Sequence, residues 1–314
     1  MVSRLNIAVI GAGCRGKEVI NEYRELSKRH LNINLSMVCD LLDENLSHCR
    51  EAINMPDERL VKEYMEVLDS RIVDAVHICT PNETHYQVCK DSLESGKHVL
   101  SERPLTTNSQ EAHELVRMAE LQDRILQVGY THRFNNALKR VRRLLRNGFF
   151  EDICHLKLRW AKSMRPLNGD DVIFDLASDP MDILNYLLDQ WPRNCTTKMF
   201  RGKHQVNFAF VFAEFPGDIT ANIELGWGQP EAVKEIFVIG SKRFATIDCR
   251  KQRIRIRERR GNHKYEVKAY RNNALREEVA HFASCALNNH RSIDDGLTGA
   301  KNVEVLESII GSMD

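Results

Sequence analysis

The stretch LNIAVIGAGCRG, residues 5–16, decides the fold. Its first half is an apolar run of strand length, and Gly11, Gly13 and Gly16 then spell G-x-G-x-x-G. A helical pattern follows at once, with Val19, Ile20, Tyr23 and Leu26 spaced to bury one face. Strand, glycine turn and helix in that order make specific demands. The first glycine permits a tight turn, the second lets backbone approach a pyrophosphate, and the third allows close helix–strand packing. The free N–H groups of the helix then face the phosphates. Cys14 and Arg15 lie inside the same loop. Asp40 closes the next strand 24 residues after Gly16, where an acid meets the ribose hydroxyls of an adenosine. Leu41 and Leu42 follow it, so no arginine stands there for a 2′-phosphate. The pattern predicts a bound dinucleotide, NAD in preference to NADP, with Arg15 keeping NADP open.

Outward from this loop, strands and helices alternate through residue 130. INLSMVCD, VDAVHICTP, HVLSERP and ILQVGY read as further strands, separated by helical stretches, one of them opening at a Ser109 or Asn108 cap. That rhythm predicts a parallel sheet with right-handed crossovers. Thr80, Pro81 and Asn82 fall at the carboxyl end of the third strand, where open parallel sheets bind ligands. After residue 130 the texture changes. A basic helix ends at Gly148, ICHLKLRWAK alternates like a half-buried strand, and DPMDILNYLLDQWP is a helix bounded by prolines. Successive strand-like runs follow, from VNFAFVFAEF to YEVKAY, and then two helices. The reading is an α/β chain: a dinucleotide-binding domain over 1–130, and an α+β domain over 131–314 with an open, mostly antiparallel sheet.

The chain of 314 residues carries a formal charge of +1, which gives no reason to expect nucleic acid or a membrane as partner. Nine cysteines are scattered without a C-x-x-C pair, several inside apolar runs, as expected in a reducing cytoplasm. No leader is expected before the first strand, and no apolar run reaches the ~18 residues of a spanning helix.

IAVIGAGCRG, HICTPNETH, GKHVLSERPL and VGYTHRF stand in the order and at the spacing of the Gfo/Idh/MocA oxidoreductase family, which the chain resembles along nearly its whole length. DLASDPMDIL, GWGQPEAVKEIFVIGSKRFATID and ALREEVAHF look most like the branch acting on nucleotide-linked sugars. The resemblance implies a Rossmann domain bearing NAD, hydride transfer at a sugar or cyclitol carbon, and a second domain whose open sheet makes homo-oligomer contacts, in a dimer or tetramer. It places cofactor contacts on Gly11, Gly13, Arg15, Gly16, Asp40, Thr80, Asn82, His85 and Glu102, with Cys14 and Pro81 beside them. The family's catalytic lysine, aspartate and histidine fall on Arg103, Asp175 and Asp179, so only the aspartate matches.

Those departures bear on the chemistry. Oxidising a hydroxyl needs a proton acceptor with a pKa near the working pH. Arginine stays charged, with a pKa above ~12, so Arg103 is expected to hold substrate, or to pair with Asp175 or Asp179. Asp179 starts from a pKa of about 3.9 and would need burial or a neighbouring carboxylate, such as Asp175, to serve as a base. It also reads as an N-cap, with Pro180 at the first helical position and Asp182 in the first turn. His132 is chemically the best-suited base, although a lone histidine is often structural. Arg133, Arg165 and Asn168 join Arg103 as expected substrate contacts. His204 and His281 carry no supporting pattern, and no cluster has metal-ligand spacing, so no metal is expected. Residues 250–264 hold eight Lys/Arg against one Glu and read as an edge strand with a basic outer face. Two functions follow: an NAD-dependent oxidoreductase of sugar-type substrates, or a non-catalytic NAD- and sugar-binding sensor that has lost its proton path.

Overall fold

The computed structural model describes residues 4–29, 32–163, 172–201, 206–260 and 264–312, and it divides the chain into two compact units. The first comprises Met1–Tyr130 with Leu275–Val303, and the second Thr131–Ala274 with Glu304–Asp314. The division at residue 130 lies where the texture of the sequence changes. The return of 275–303 to the first unit is not visible locally, because a helix pattern does not say which core it joins.

In the first unit, β1 (Leu5–Ile10), α1 (Cys14–Lys28), β2 (Ile33–Cys39), α2 (Asp43–Ile53), β3 (Leu60–Val61), α3 (Tyr64–Asp69), β4 (Ala75–Ile78), α4 (His85–Glu94), β5 (His98–Ser101), α5 (Ser109–Leu121) and β6 (Leu126–Val128) follow one another. The strands pair in the order β3-β2-β1-β4-β5-β6, all parallel. Strands buried on both faces read as continuous apolar runs. Ile7 and Val9 of β1 join Val19, Ile20 and Tyr23 of α1, while Ala8 and Ile10 join Val88 and Leu115 of α4 and α5. The short β3 and α3 are additions to the predicted elements, being too brief to show a period. Asn108 is the cap of α5, its side chain accepting from the Glu111 N–H at 3.1 Å.

The second unit runs through α6 (Asn136–Arg146), β7 (Ile153–Ala161), α7 (Val172–Leu176), α8 (Ser178–Leu188), β8 (Asn194–Arg201), β9 (Val206–Phe215), β10 (Ile219–Gly226), β11 (Val233–Gly240), β12 (Arg243–Asp248), β13 (Arg253–Glu258) and β14 (Lys264–Val267). Two helices, α9 (Ala274–Asn288) and α10 (Gly296–Gly311), follow. The sheet order is β14-β13-β12-β11-β7-β10-β9-β8, with every pair antiparallel except β7 and β10. One face is apolar: Leu156, Leu158 and Trp160, Ile223 and Leu225, Ile236 and Val238 pack with Leu138, Ile173 and Leu184. The other face carries exposed Phe200, Phe210 and Phe212. The arginine-rich strand is not at the edge as expected. β14 pairs outside β13, burying Ile254 and Ile256 and leaving Arg253, Arg255 and Arg257 exposed.

Asn135 ties this unit together locally. Its carboxamide oxygen accepts from Ala137 N–H at 2.9 Å, capping α6, and its amide donates to the Cys249 carbonyl at 2.9 Å. Asn135→Ala is expected to lower unfolding free energy by about 1–3 kcal/mol, measured by urea titration.

Candidate active site

The first unit builds a turn with space on one side and none on the other. Gly11 adopts φ +95°, and a Cβ there would lie 2.7 Å from the Cys79 carbonyl group. At Gly16 a Cβ would meet the Gly11 oxygen at 2.0 Å, so α1 can seat against the end of β1 only without a side chain. At Gly13 a Cβ would meet nothing within 4 Å, and no side chain caps α1. The loop is therefore closed by packing at Gly11 and Gly16 and open at Gly13, a cradle that a pyrophosphate fits. Asp40 completes it. Its Oδ2 accepts from the Ala12 N–H at 2.6 Å, and Oδ1 from the Leu42 N–H at 2.9 Å. Leu41 and Leu42 beside it are exposed.

β1 and β4 are neighbours at the point where strand order reverses, and Thr80, Pro81 and Asn82 follow β4. His85, expected at the cofactor, is instead fully buried. Its Nδ1 lies 2.8 Å from the Pro104 carbonyl and its Nε2 2.9 Å from the Thr80 carbonyl, so it braces the two loops. Arg103 follows β5, joined to Pro104 by a cis peptide bond.

Arg15 reaches across the unit to acidic partners. Its Nε donates to Glu102 Oε1 at 2.6 Å, its Nη1 lies 3.2 Å from Glu18, and its Nη2 3.6 Å from the buried Glu278. His77 Nε2 lies 3.6 Å from Glu102 Oε1, and the Tyr23 hydroxyl 3.2 Å from His77 Nδ1. Burial pushes the Glu102 carboxyl up, but Arg15 and His77 outweigh it and hold it at about 2. Burial lowers His77, against the pull of Glu102. The fold also gathers donor atoms of His77, Cys79 and Glu102 within 4.8 Å, which linear spacing cannot reveal. Arg15 already neutralises Glu102, and burial pushes the Cys79 thiol well up, so the group is built as an ion-pair network. Tyr23, His77 and Glu278 are members that sequence reading missed.

The second unit carries its own polar cluster. His132 lies in the turn Thr131–Phe134, edge-on to Trp160 with ring centroids 4.9 Å apart. Its Nε2 is 3.1 Å from Lys234 Nζ and 3.9 Å from Asp179 Oδ2, and Lys234 Nζ is 3.6 Å from the same oxygen. Asp179 is not an N-cap. α8 begins at Ser178 with Ala177 before it, placing Asp179 and Pro180 inside the first turn. Asp175 belongs to α7, its Oδ1 accepting from Lys162 Nζ at 2.6 Å and its Oδ2 from Trp227 Nε1 at 2.8 Å. A cation stands beside each acid.

Arg133, expected to contact substrate, is buried. It donates to Asp182 Oδ1 at 2.8 Å and to Asn185 Oδ1 at 2.8 Å, since a buried guanidinium needs a matched acceptor. Burial still pushes Asp182 up to about 6. Arg165, Asn168 and His204 lie outside the described residues. His281 sits 3.5 Å from Cys285 Sγ. Lys234 and Lys162 were missed, yet both left a trace. Lys234 shares the inward phase of β11 with Ile236 and Val238, and Lys162, one residue past the end of β7, continues the phase of Leu158 and Trp160.

A doubly wound nucleotide-binding unit with this loop defines a dinucleotide-dependent class of protein. Residues 5–130 match the profile of the Gfo/Idh/MocA oxidoreductase family, NAD-binding Rossmann fold. Inositol 2-dehydrogenase of Mycolicibacterium smegmatis is 30% identical over 192 residues, covering 60% of this chain and 54% of that one. The chain spans about half the length of the first such relatives. UDP-N-acetylglucosamine 3-dehydrogenase from Acidithiobacillus ferrooxidans superposes with TM-score 0.87 at 21% identity, over 99% of this chain and 98% of that one. A levoglucosan dehydrogenase in complex with NADH and L-sorbose gives 0.87 at 13%, over 99% and 96%. These last two likenesses are of fold.

The Glu102 network makes a pH prediction. Its folded pKa of about 2 lies below the ordinary 4.5, so the stability it contributes is present above pH 4.5 and lost as pH falls toward 2. Chemical denaturation across that window should show wild type losing up to roughly 3 kcal/mol more than Glu102→Gln.

Proposed function

We propose that the chain is an NAD-dependent oxidoreductase moving hydride between nicotinamide and a carbon of a sugar-type polyol: a sugar, cyclitol or nucleotide sugar. The observation that carries this reading is the turn at Gly11–Gly16, closed by packing and open at Gly13, inside a family-matched domain. Gly13 and the first N–H groups of α1 would hold the pyrophosphate, and Asp40 the adenosine ribose. When bound, the dinucleotide supplies the hydride acceptor. Two features favour NAD over NADP. Arg15 is engaged by Glu102, and the residues after Asp40 are leucines with no charge to offer a 2′-phosphate. The relatives are named for inositol, UDP-N-acetylglucosamine and levoglucosan, which supports a hydroxylated ring as substrate.

In the second unit, His132 is suited to take up the hydroxyl proton, with Asp179 near to balance the charge. Arg103 would hold substrate by hydrogen bonding. Exposed Phe200, Phe210 and Phe212 on the open sheet face support association with a second copy of the chain. No helix among the described residues is long and apolar enough to cross a membrane, and their cysteines are unpaired, in keeping with a reducing cytoplasm. A second reading, an NAD- and sugar-binding sensor, is favoured by Arg103 and Asp179 standing where the family has lysine and histidine.

Calorimetry should find NAD binding at least about tenfold tighter than NADP, and Asp40→Ala should weaken NAD by about 10–100-fold, the worth of hydrogen bonds to a charged group. Nicotinamide absorbance in a single turnover with a panel of sugars, inositols and nucleotide sugars should rise for at least one. Binding without any absorbance change decides for the sensor, and no binding of either dinucleotide overturns both readings.

A further inference from the structure

The formal charge of +1 conceals a local excess. Residues 250–271 hold ten Lys/Arg against Glu258 and Glu266, a net +8, so the rest of the chain carries −7. This segment lies wholly in the second unit and includes β13 and β14. Arg253, Arg255 and Arg257 alternate along β13 with buried Ile254 and Ile256, so all three project from the face opposite the core. Arg259 and Arg260 continue the run, and Lys264 of β14 stands directly across from Arg257. Among the described residues, these six side chains make no hydrogen bond or ion pair. Glu258 is already used, accepting from the Tyr265 hydroxyl at 2.6 Å and lying 3.5 Å from Arg243. Like charges directly opposite weaken a sheet. Guarding an edge would place them on the outermost strand, but β14 is the edge and the arginines are one strand in.

The register brings two aromatic side chains to the same face. Phe244 of β12 is opposite Arg257, and Phe237 of β11 is opposite Thr246, which is in turn opposite Arg255. Both phenylalanines are half-buried. They stand one and two strands from β13, roughly 5 and 10 Å away, while the arginines repeat about every 6.8 Å along it. The linear sequence shows the charges but not the rings beside them, because sheet pairing joins residues that are far apart in the chain.

We propose that this face binds single-stranded nucleic acid, with backbone phosphates on Arg253, Arg255, Arg257 and Lys264 and bases against Phe244 and Phe237. The proposal is independent of the oxidoreductase reading. A row of unpaired cations at regular spacing suits a ligand that repeats its negative charge. Arginine in preference to lysine suits phosphate, whose oxygens match the planar fork of a guanidinium. Aromatic side chains beside the row give bases a stacking platform that tolerates any sequence. A bilayer finds nothing apolar to take up from β13, since Ile254 and Ile256 are buried. A second copy of the chain offers poor complementarity, because Glu224 and Glu235 of the same face are already paired with Arg159. Four phosphate contacts to a single strand correspond to a slope of log K against log salt of about −3.

The test is fluorescence anisotropy on the full chain with a labelled oligouridylate of about 15 nucleotides, near the upper end of such site sizes, across a salt series. Oligothymidylate of the same length runs beside it. Binding of either strand supports the proposal, and their ratio tells RNA from DNA. Replacing Arg253, Arg255 and Arg257 together by glutamine should flatten the salt slope by about 2, the worth of three phosphate contacts. Removing equal charge from Arg71, Arg117 and Arg143, exposed elsewhere, should change affinity by less than about threefold. Phe244→Leu should weaken binding by about 5–150-fold, the worth of one stacked base. Should that variant fail to fold, Phe237→Leu reads the same stacking. No binding at low salt, equal losses in the two triple variants, or a folded phenylalanine variant that binds like wild type overturns the proposal. So does inorganic polyphosphate, or a phosphatidylserine vesicle, bound as tightly as the oligonucleotide. An oligomer that dissociates in the β13 variant, from a wild type that binds no oligonucleotide, assigns the face to a second copy and overturns it too.

Discussion

A methyl group on Gly16 would sit 2.0 Å from the carbonyl oxygen of Gly11, and the first unit is organised by that missing atom. Because α1 can press directly onto the turn that precedes it, the turn is pulled against Cys79 at the end of β4, where a Cβ on Gly11 would be 2.7 Å away. The same closeness brings the Ala12 N–H to Asp40 and directs Arg15 to Glu102. A loop fixed on three sides exposes its fourth, at Gly13, in a form that costs little reorganisation when an anion arrives. Preorganisation of this kind is where binding free energy is otherwise lost.

Four acids, one in the first unit and three in the second, have a basic group at hand. Glu102 has Arg15, Asp175 has Lys162, Asp182 has Arg133, and Asp179 has Lys234 with His132. The consequences differ with burial. Arg133 and Asp182 are closed off and serve architecture, with Asp182 raised to about 6 by burial even beside its arginine. Glu102, touched by Arg15 and by His77, is held low. The Lys234 group keeps access and mixes two kinds of nitrogen.

A match of residues 5–130 to the family profile is compatible with departures at individual positions, because fold is carried by many apolar contacts and chemistry by a few atoms. An arginine at position 103 stands with the sheet, the glycine turn and the acid at Asp40 intact.

The sequence alone determined the alternation of strand and helix through residue 130, the glycine turn, the acid at Asp40 and the antiparallel character of the later strands. These are local properties, written in periods of two and 3.6 residues and in the positions where a side chain cannot fit. It also marked Arg103 and Asp179 as departures. Only the tertiary structure decided that residues 275–303 return to the first unit, that β14 covers β13, that His85 and Arg133 are braces, and that Asp179 faces His132 and Lys234 and does not cap its helix. Lys234 and His132 are 102 residues apart, and Arg15 and Glu102 are 87. No local pattern encodes a meeting over such a distance, because which cation reaches which acid depends on how the sheets register and on how far burial weakens the competing claim of water.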